Sequence, residues 1–266
     1  MSTLVCFHAH PDDESIATGG TIARAASEGH RVVLVVATDG RHGEIPDDLA
    51  AGESLADRRR RETEESARVL GVSEVVWLGY ADSGMTGWAQ NHEPGAFMSA
   101  DLDEASERLA DIVERVGGDV LTCYDWHGGY GHPDHIQVHR VGHRAADKLR
   151  DRGRRVRVLE STMNRTRIAR MMTMNAEANP DAEPFDPEAG ADDGNPFGST
   201  EDEITMAVDV SRFVEQKRAS MTCHSSQITD SSFFLKMSPE VFAMAFGIEW
   251  FIEPGQPGGA REGWLL

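Results

Sequence analysis

Four continuous apolar runs, separated by segments with helical periodicity, constrain the fold of this chain more than any other feature. The runs cover residues 4–7, 31–37, 74–79 and 120–124. Continuous apolar runs are typical of strands that are covered on both faces, as in parallel sheets. Strands that alternate with helices in this way predict an α/β fold. We expect a Rossmann-like, mainly parallel sheet with helices on both faces, in three layers.

The spacing of apolar residues predicts the remaining elements. We expect helices over residues 15–29, 55–70, 101–116, 135–150, 164–176, 211–223 and 239–246, and further strands over 155–160, 204–210 and 249–252. No repeat or linker divides the chain, so a single domain is expected over residues 1–266. Residues 177–203 are acidic and lack lysine and arginine, which favours a loop or flap. Residues 204–266 are expected to extend the same domain.

Charge and cysteine content narrow the range of partners. The chain has 45 acidic and 26 basic residues, a formal net charge of −19. Such a surface repels nucleic acids and anionic membranes, so we expect neither as a partner. Cys6, Cys123 and Cys223 lie far apart, as is typical of thiols in a reducing cytoplasm. No signal peptide or membrane span is recognised, so a cytoplasmic protein is expected. A homo-oligomer is left open.

The segment 9–14, Ala-His-Pro-Asp-Asp-Glu, directly follows the first predicted strand. It therefore lies at a strand's carboxyl end, where open α/β sheets place their active sites. Zinc accepts imidazole and carboxylate ligands, and a catalytic zinc site keeps one position open. His10 and Asp13 can face one centre, with Asp12 displaced and available as a base. The alternative is that Asp12 or Asp13 caps the helix that follows.

A second segment of the same form follows the fourth predicted strand and contains His132, Asp134 and His135. The glycine-rich residues 128–131 before it give the backbone freedom to approach the first segment. Two histidine–aspartate loops at two strand ends can converge on one divalent metal. A ligand set of two histidines and one aspartate suits Zn²⁺, with Fe²⁺ or Mn²⁺ as alternatives.

Several other features have simpler interpretations. His8 is expected to be structural or to support the site from behind. His139 and His143 are expected to be surface or packing residues of a helix. The segment 80–100 is longer than a connection between two elements requires, and loops of that length usually carry function.

Together the two histidine segments resemble the PIG-L (LmbE-like) family of zinc-dependent N-deacetylases. The resemblance is carried by residues 9–14 and by Gly-His-Pro-Asp-His at residues 131–135. Weaker likenesses are Arg59 with Glu62, residues 82–85, and Lys217 with residues 224–227. The family includes enzymes that deacetylate N-acetylglucosaminyl-inositol compounds and amidases that cleave mycothiol conjugates.

The resemblance implies a metal site and a base. His10, Asp13 and His135 are the implied zinc ligands, and Asp12 is the implied general base on the water that the zinc activates. These assignments agree with the ligand chemistry of the two segments.

The resemblance also implies groups that handle the substrate. His132 is the implied acid or electrostatic stabiliser of the tetrahedral oxyanion, with Asp134 orienting it. Tyr130 resembles a mobile tyrosine that family members use near that oxyanion. Arg59 and Asp82 are implied to hold sugar or inositol hydroxyls.

The expected function is therefore a zinc-dependent hydrolase that removes an acetyl group from a small molecule containing N-acetylglucosamine. One alternative is a mycothiol S-conjugate amidase, which cleaves a glucosaminyl amide with the same site. Another is a sugar-binding relative without catalysis. A base at Asp12 and an acid at His132 argue against that last alternative, since binding alone requires neither.

Overall fold

The computed structural model describes residues 1–178 and 185–266. In those residues it places one eight-stranded sheet. The strands are β1 (Thr3–His8), β2 (Arg31–Thr38), β3 (Glu74–Tyr80), β4 (Val120–Tyr124), β5 (Arg157–Thr162), β6 (Met206–Asp209), β7 (Ile248–Ile252) and β8 (Arg261–Glu262).

The spatial order of the strands is β3-β2-β1-β4-β5-β7-β6-β8. The five strands from β3 to β5 are parallel to their neighbours. β7 is antiparallel to both β5 and β6, and β8 is parallel to β6. The predicted mainly parallel α/β sheet is therefore confirmed. Its C-terminal strands extend one edge of the sheet.

Nine helices and three 3₁₀ turns surround this sheet in the described residues. The helices are α1 (Asp13–Ala17), α2 (Gly19–Ser27), α3 (Leu55–Leu70), α4 (Leu102–Val116), α5 (Pro133–Asp151), α6 (Arg165–Ala178), α7 (Val214–Cys223), α8 (Phe233–Lys236) and α9 (Pro239–Phe246). The 3₁₀ turns are Ala89–His92, Phe97–Ser99 and Ser211–Phe213. Within those residues, no helix has the length and apolar character needed to cross a membrane.

Two apolar cores lie on opposite faces of the sheet. On one face, Leu109 of α4 and Val141 of α5 pack in one cluster with Val5 and Phe7 of β1. On the other face, helices α2 and α3 pack against alternate residues of the same strands, among them Leu4 and Cys6. Because adjacent residues of a strand point to opposite faces, a continuous apolar run serves both cores. The three-layer arrangement follows from this pattern.

Local sequence rules account for the bounds of several helices. Ser54 and Asp57 form a reciprocal capping box at the start of α3. Gly71 ends that helix with a φ of 79°, a conformation that costs glycine little. The carboxylate of Asp101 accepts the backbone N–H of Glu104 and so caps α4. These helices have the bounds that the sequence predicts to within one residue.

Other predicted elements differ from the structure. The single helix expected over residues 15–29 divides at Thr18 into α1 and α2. Gly19 and Gly20 follow this break, and glycine is a poor helix former. Helix α5 begins at Pro133, two residues before its predicted start. Ser211 begins a 3₁₀ turn instead of capping α7, and α8 and β8 were not predicted.

Two long loops lie at the carboxyl end of the parallel strands. In the first, the side-chain amide of Asn91 donates to the backbone carbonyls of Ser83 and Met85. The second lies within the acidic segment 177–203, whose first two residues end α6 and whose residues 179–184 lie outside the described residues. In its described part, the backbone N–H of Gly198 donates to the carbonyl of Gly129 at 2.6 Å. This acidic loop therefore contacts the glycine-rich segment before α5.

Candidate active site and metal centre

The order of the strands brings the two histidine segments together. Strand β1 pairs with β2 on one side and with β4 on the other. The strand order of the sheet therefore reverses between β1 and β4. In open α/β sheets, ligands bind at such a switch point, outside the carboxyl ends of the strands. The segments after β1 and β4 both start at this point.

Three ligand atoms from these segments form a nearly equilateral triangle. His10 Nδ1 lies 3.4 Å from Asp13 Oδ2, and His135 Nε2 lies 3.4 Å from the same oxygen. His10 Nδ1 and His135 Nε2 lie 3.3 Å apart. Burial raises the pKa of Asp13, but His135 and His10 outweigh this effect and hold that pKa well below its usual range. Asp13 therefore faces the two imidazoles as a carboxylate.

The opposite nitrogen of each histidine has a hydrogen-bond acceptor. His10 Nε2 lies 3.2 Å from Asp134 Oδ2, and His135 Nδ1 lies 3.1 Å from the carbonyl oxygen of Gly128. In its neutral form each imidazole can donate its ring proton to these acceptors, which leaves the facing nitrogen with a lone pair for a metal ion. Metal-ligating histidines almost always have such partners. The donor set therefore fits one divalent metal ion.

Asp12 lies beside this triangle in an unusual backbone conformation, with a φ of 95°. The Nη2 of Arg59 donates to the carbonyl of Pro11 at 2.5 Å and to Asp12 Oδ2 at 3.1 Å. The backbone N–H of Asp12 donates to Glu14 Oε2 at 3.1 Å. Asp12 occupies the cap position of α1, but its side chain makes no capping hydrogen bond. The alternative interpretation of Asp12 as a helix cap is therefore wrong.

Burial raises the pKa of Asp12 to about 6. Arg59 opposes this rise and Asp13 adds to it. A carboxylate with a pKa in this range is still ionised at neutral pH, and it also holds a proton better than an ordinary aspartate does. Both properties suit a general base.

A buried ion pair supports the loop of Asp12 from behind. Glu14 Oε1 lies 2.6 Å from His224 Nε2 and accepts the hydroxyl of Ser66. Glu14 and His224 are both fully buried. Although burial lowers the pKa of His224, Glu14 outweighs it and raises that pKa above its ordinary value. The C-terminal part of the chain thus fixes the carboxylate that holds the backbone of Asp12.

His132 faces the triangle from the start of α5, with its ring centroid 4.6 Å from that of His10. Its Nδ1 accepts the backbone N–H of Asp134 at 3.1 Å, so the proton of the neutral ring lies on Nε2. Burial, together with His10 and His135, lowers the pKa of His132 to about 2. The imidazole is therefore neutral, with an N–H available as a donor.

The carboxylate of Asp134 contacts other groups. Ser83 donates to it through its hydroxyl and through its backbone N–H, the latter at 2.9 Å, and Asp134 Oδ2 lies 3.2 Å from His10 Nε2. The contact from Asp134 that orients His132 is made by the backbone N–H. The carboxylate orients His10.

Tyr130 lies at the edge of the triangle, with its hydroxyl 3.5 Å from His135 Nε2. Its ring stacks on Phe197 of the acidic loop at a centroid distance of 6.0 Å. Burial raises the pKa of Tyr130 well above its ordinary value, with the nearby Asp13 adding to the effect. The hydroxyl therefore keeps its proton and can donate a hydrogen bond.

Arg59 and Asp82 both line the cavity above the triangle, and both side chains are buried. Arg59 donates to the carbonyl of Gly40 in addition to its contacts with the loop of Asp12. Asp82 Oδ1 accepts the backbone N–H of Gly84 at 2.8 Å and lies 3.6 Å from His10 Nε2. Each residue thus supports the site while facing its opening.

The cavity has a volume of about 190 Å³. His10 and Asp13 of the triangle line it together with Asp12 and His132. Its other lining residues include His42, Met85 and Trp88. Side chains that could ligate, accept a proton and donate a hydrogen bond therefore line a single opening.

Two residues that hold the site's side chains in place, Tyr124 and Ser83, were not identified from the sequence. Tyr124 ends β4, where its hydroxyl lies 2.8 Å from His8 Nδ1 and its ring stacks on His135 at 4.6 Å. Ser83 holds Asp134, as described above. Tyr124 closes an apolar strand, and only its position at a strand end next to the second segment could have marked it. Ser83 lies in a segment marked by resemblance alone.

A comparison with protein-family models agrees with this geometry. Residues 5–146, which include both histidine segments, match the PIG-L family, described as GlcNAc-PI de-N-acetylase. The chain belongs to the PIG-L family. It is accordingly a hydrolase of amide bonds, and the structure has groups of histidine and aspartate side chains that could hold a metal ion.

Curated PIG-L relatives align with nearly the whole chain. A protein of Acidothermus cellulolyticus is 40% identical over 95% of this chain and 88% of its own length. One of Nocardiopsis dassonvillei is 38% identical over 92% of this chain and 91% of its own length. Both are named 1D-myo-inositol 2-acetamido-2-deoxy-alpha-D-glucopyranoside deacetylase.

Among solved structures, the chain is similar to N,N'-diacetylchitobiose deacetylase from Pyrococcus horikoshii. The two share 26% sequence identity with a TM-score of 0.55, over 91% of this chain and 75% of the other. The family match and the curated relatives confirm the resemblance to the PIG-L family that the two histidine segments carry.

Proposed function

We propose that this PIG-L chain removes the acetyl group from N-acetylglucosamine linked to inositol, with zinc bound at His10, Asp13 and His135. The observation that carries the proposal is the triangle of ligand atoms with Asp12 and His132 beside it in one cavity. The names of the relatives from Acidothermus and Nocardiopsis support this substrate. Their alignment with over nine-tenths of this chain extends well beyond the metal-binding segments.

The size of the triangle supports zinc as the metal. Ligand atoms of a regular tetrahedron lie about 3.3–3.4 Å apart when the metal–ligand bonds are about 2.0–2.1 Å, the lengths of zinc bonds to imidazole and carboxylate. The three distances between the ligand atoms of His10, Asp13 and His135 are 3.3, 3.4 and 3.4 Å. Three protein ligands leave the open position that a catalytic site needs.

When bound, zinc supplies a Lewis acid that acidifies a water molecule and polarises the amide carbonyl. Asp12 accepts the proton of the attacking water. Its carboxylate is positioned for this step by Arg59, and its raised pKa lets it hold the proton afterwards. The same carboxyl can then return that proton to the nitrogen of the leaving amine. Water and amide thus become acetate and a free amino sugar, with Asp12 restored to its carboxylate.

His132 and Tyr130 stabilise the negative charge that develops on the carbonyl oxygen. His132 is neutral, and its Nε2–H is free to donate because Nδ1 accepts the backbone N–H of Asp134. The phenol of Tyr130 keeps its proton and provides a second donor. Donors fixed before the reaction stabilise such charge effectively, because they need no reorganisation. His132 therefore acts as an electrostatic stabiliser, the second of its two expected roles.

Asp82 binds sugar hydroxyls at the cavity wall, which Arg59 also lines. Asp82 is held ionised, because His10 outweighs the opposing effect of burial and keeps its pKa far below the usual range. A carboxylate accepts hydroxyl hydrogen bonds readily. Arg59 contributes mainly by fixing the loop of Asp12, since its Nη groups already donate to protein oxygens.

The net charge of the chain and its free cysteines indicate the kind of substrate and the compartment. A net charge of −19 favours a small soluble substrate over nucleic acid or an anionic membrane. Cys6 and Cys123 are buried free thiols, which suits a reducing cytoplasm.

The decisive experiment measures metal content and amine release on the same purified protein. With N-acetylglucosaminyl-inositol as substrate, we expect the purified protein to contain zinc, at least one equivalent per chain, and amine release that a chelator stops. Activity that persists in the metal-free protein would contradict the proposal. Cleavage of a mycothiol bimane conjugate without deacetylation would assign the amidase reaction instead.

Asp12→Asn tests the role of the base. Asparagine keeps the size of the side chain and cannot accept the proton, so we expect kcat to fall about 10²–10⁴-fold, the usual contribution of general acid–base catalysis. Zinc content should be unchanged, because Asp12 is not in the triangle. Unchanged turnover with full zinc occupancy would exclude Asp12 as the base.

A further inference from the structure

We infer that this chain holds a second, independent zinc site, formed by Cys123, His139, His143 and Glu160. Each of the first three residues offers one ligand atom, and these atoms lie within 4.8 Å of one another. Glu160 Oε1 lies 2.7 Å from His143 Nε2 and 3.8 Å from His139 Nδ1. The four groups are a thiol, two imidazoles and a carboxylate, which is a donor set that zinc binds in proteins. This inference is separate from the proposed function.

Three secondary-structure elements bring these residues together. Cys123 lies on β4 and Glu160 on β5, which are adjacent parallel strands with these two residues in register. His139 and His143 are four residues apart on α5, so they lie on one face of that helix. Their rings are 4.5 Å apart. The cluster is thus held by the sheet on one side and by a helix on the other.

A glycine between the two histidines permits the close approach. A Cβ atom at Gly142 would lie 2.8 Å from Cys123 Cβ and 3.2 Å from its Sγ, so a larger residue would push the helix away from the thiol. Glycine inside a helix costs about 1 kcal/mol relative to alanine. At this position the cost is offset by contact between α5 and β4 at the thiol.

The surroundings favour a cation. Cys123 and Glu160 are buried, whereas the side chains of His139 and His143 are 22% and 33% exposed, so a metal ion can enter from solvent on the helix side. Burial, and after it repulsion by the carboxylates of Glu160 and Asp125, raises the pKa of the Cys123 thiol well above its ordinary value. A bound divalent cation removes this repulsion. Binding releases the thiol proton to solvent as the sulfur becomes a ligand.

The second site is distinct from the catalytic triangle in composition and connected to it in structure. The triangle offers nitrogen and oxygen ligands, whereas the second site adds a thiolate. Helix α5 contributes His135 to the first and two histidines to the second. Tyr124 also joins them, since its ring stacks on His135 and its carbonyl accepts a hydrogen bond from His139 Nδ1 at 3.0 Å. A metal at the second site would therefore fix the helix that supports the first.

Cobalt distinguishes the two sites. A thiolate bound to Co²⁺ gives a charge-transfer absorption in the near ultraviolet, and nitrogen and oxygen ligands do not. We expect the metal-free full-length protein to bind two equivalents of Co²⁺ and to develop this absorption, and Zn²⁺ to abolish it by displacement. Absence of the band with Co²⁺ in excess would overturn the site. Failure of Zn²⁺ to displace Co²⁺ would overturn the assignment to zinc.

The chain provides matched controls for each ligand. Cys123→Ser should remove the band and one equivalent of bound metal, whereas Cys6→Ser, also at a buried thiol, should keep both. His143→Gln changes a partly exposed side chain and should weaken Co²⁺ binding at this site at least tenfold while the protein stays folded. His10→Ala should leave the band intact. A band that survives in folded Cys123→Ser protein would contradict the inference.

Discussion

Asp12 shows how one residue departs from local rules where the chemistry lies. A φ of 95° costs a residue other than glycine about 1–3 kcal/mol, and such strain persists only where surrounding contacts enforce it. Here Arg59 holds the side chain and the preceding carbonyl, while Glu14 holds the backbone N–H. The sequence predicted a base at this position. It could not predict the strained conformation, which depends on a helix 47 residues away.

Ser83→Ala tests how strongly a supporting residue tunes the metal centre. The change removes the hydroxyl that donates to Asp134, the carboxylate that orients His10. Loss of such a partner typically lowers metal affinity about 10–100-fold. Zinc affinity should be measured by competition with a chelator of known strength. An unchanged affinity would show that the backbone N–H of Ser83 is sufficient to hold Asp134.

Ser106→Ala is the matched control for that experiment. Ser106 is also fully buried, but its hydroxyl has no hydrogen-bond partner among the described residues. Its removal should leave zinc affinity unchanged. Because the hydroxyl of Ser83 also accepts the backbone N–H of Met98, Ser83→Ala is expected to lower the Tm as well, and the affinity is the discriminating quantity.

At the level of elements, the start of α2 depends on a distant ion pair. The backbone N–H groups of Gly20 and Thr21 both donate to the carboxylate of Glu249, each at 2.8 Å. Lys217 Nζ lies 2.6 Å from the same carboxylate, and both charged side chains are almost fully buried. The sequence predicted one continuous helix here. The break was missed because the partner of Gly20, Glu249, is 229 residues away. Local spacing carries no information about such a partner.

Lys217→Met tests this pair. The change leaves a buried carboxylate without its cation, and breaking a buried pair in this way costs about 3–5 kcal/mol. The free energy of unfolding should be measured by denaturant titration. The double variant Lys217→Met with Glu249→Gln should lose less than the sum of the single changes, because neither charge then remains unpaired. Additive losses would show that the two side chains act independently.

The exposed pair of Arg144 and Asp103 provides the comparison for that cycle. Their side chains are 41% and 62% exposed. Exposed pairs contribute about 0–1 kcal/mol, so Arg144→Met should change the free energy of unfolding little. A loss as large as that of Lys217→Met would show that burial is not the cause of the difference.

At the level of the whole molecule, the sequence predicted those features of the fold that depend on residues close together in the chain. The first four strands and helices α3 and α4 follow from apolar spacing and capping residues. The sequence could predict that His10, Asp13 and His135 lie close together, because His10 follows β1 and the other two lie in the first turns of α1 and α5. The partnership of Glu14 with His224 could not, since 210 residues separate them. Pairs of residues such as Glu14 and His224, which support the site across long stretches of chain, were therefore identified only from the structure.

The net charge of −19 gives the last prediction, which concerns stability in salt. The 45 acidic residues outnumber the 26 basic ones, and the mutual repulsion of this excess negative charge opposes the compact state. Raising sodium chloride from about 0.1 M to about 1 M shortens the screening length from about 10 Å to about 3 Å, which weakens this repulsion. We expect the Tm at pH 7.5 to rise by about 2–4 °C for each kcal/mol of repulsion removed.

Exposed ion pairs act in the opposite direction, because salt weakens them as well. Arg152, for example, contacts Glu107, Asp111 and Glu114 on the surface. Such pairs contribute little each, so the excess of negative charge should dominate. The control is the same salt series near pH 5, close to the isoelectric point of about 4.9, where the net charge is small and the Tm should change less. A Tm that falls with salt at pH 7.5 would show that the ion pairs outweigh the repulsion.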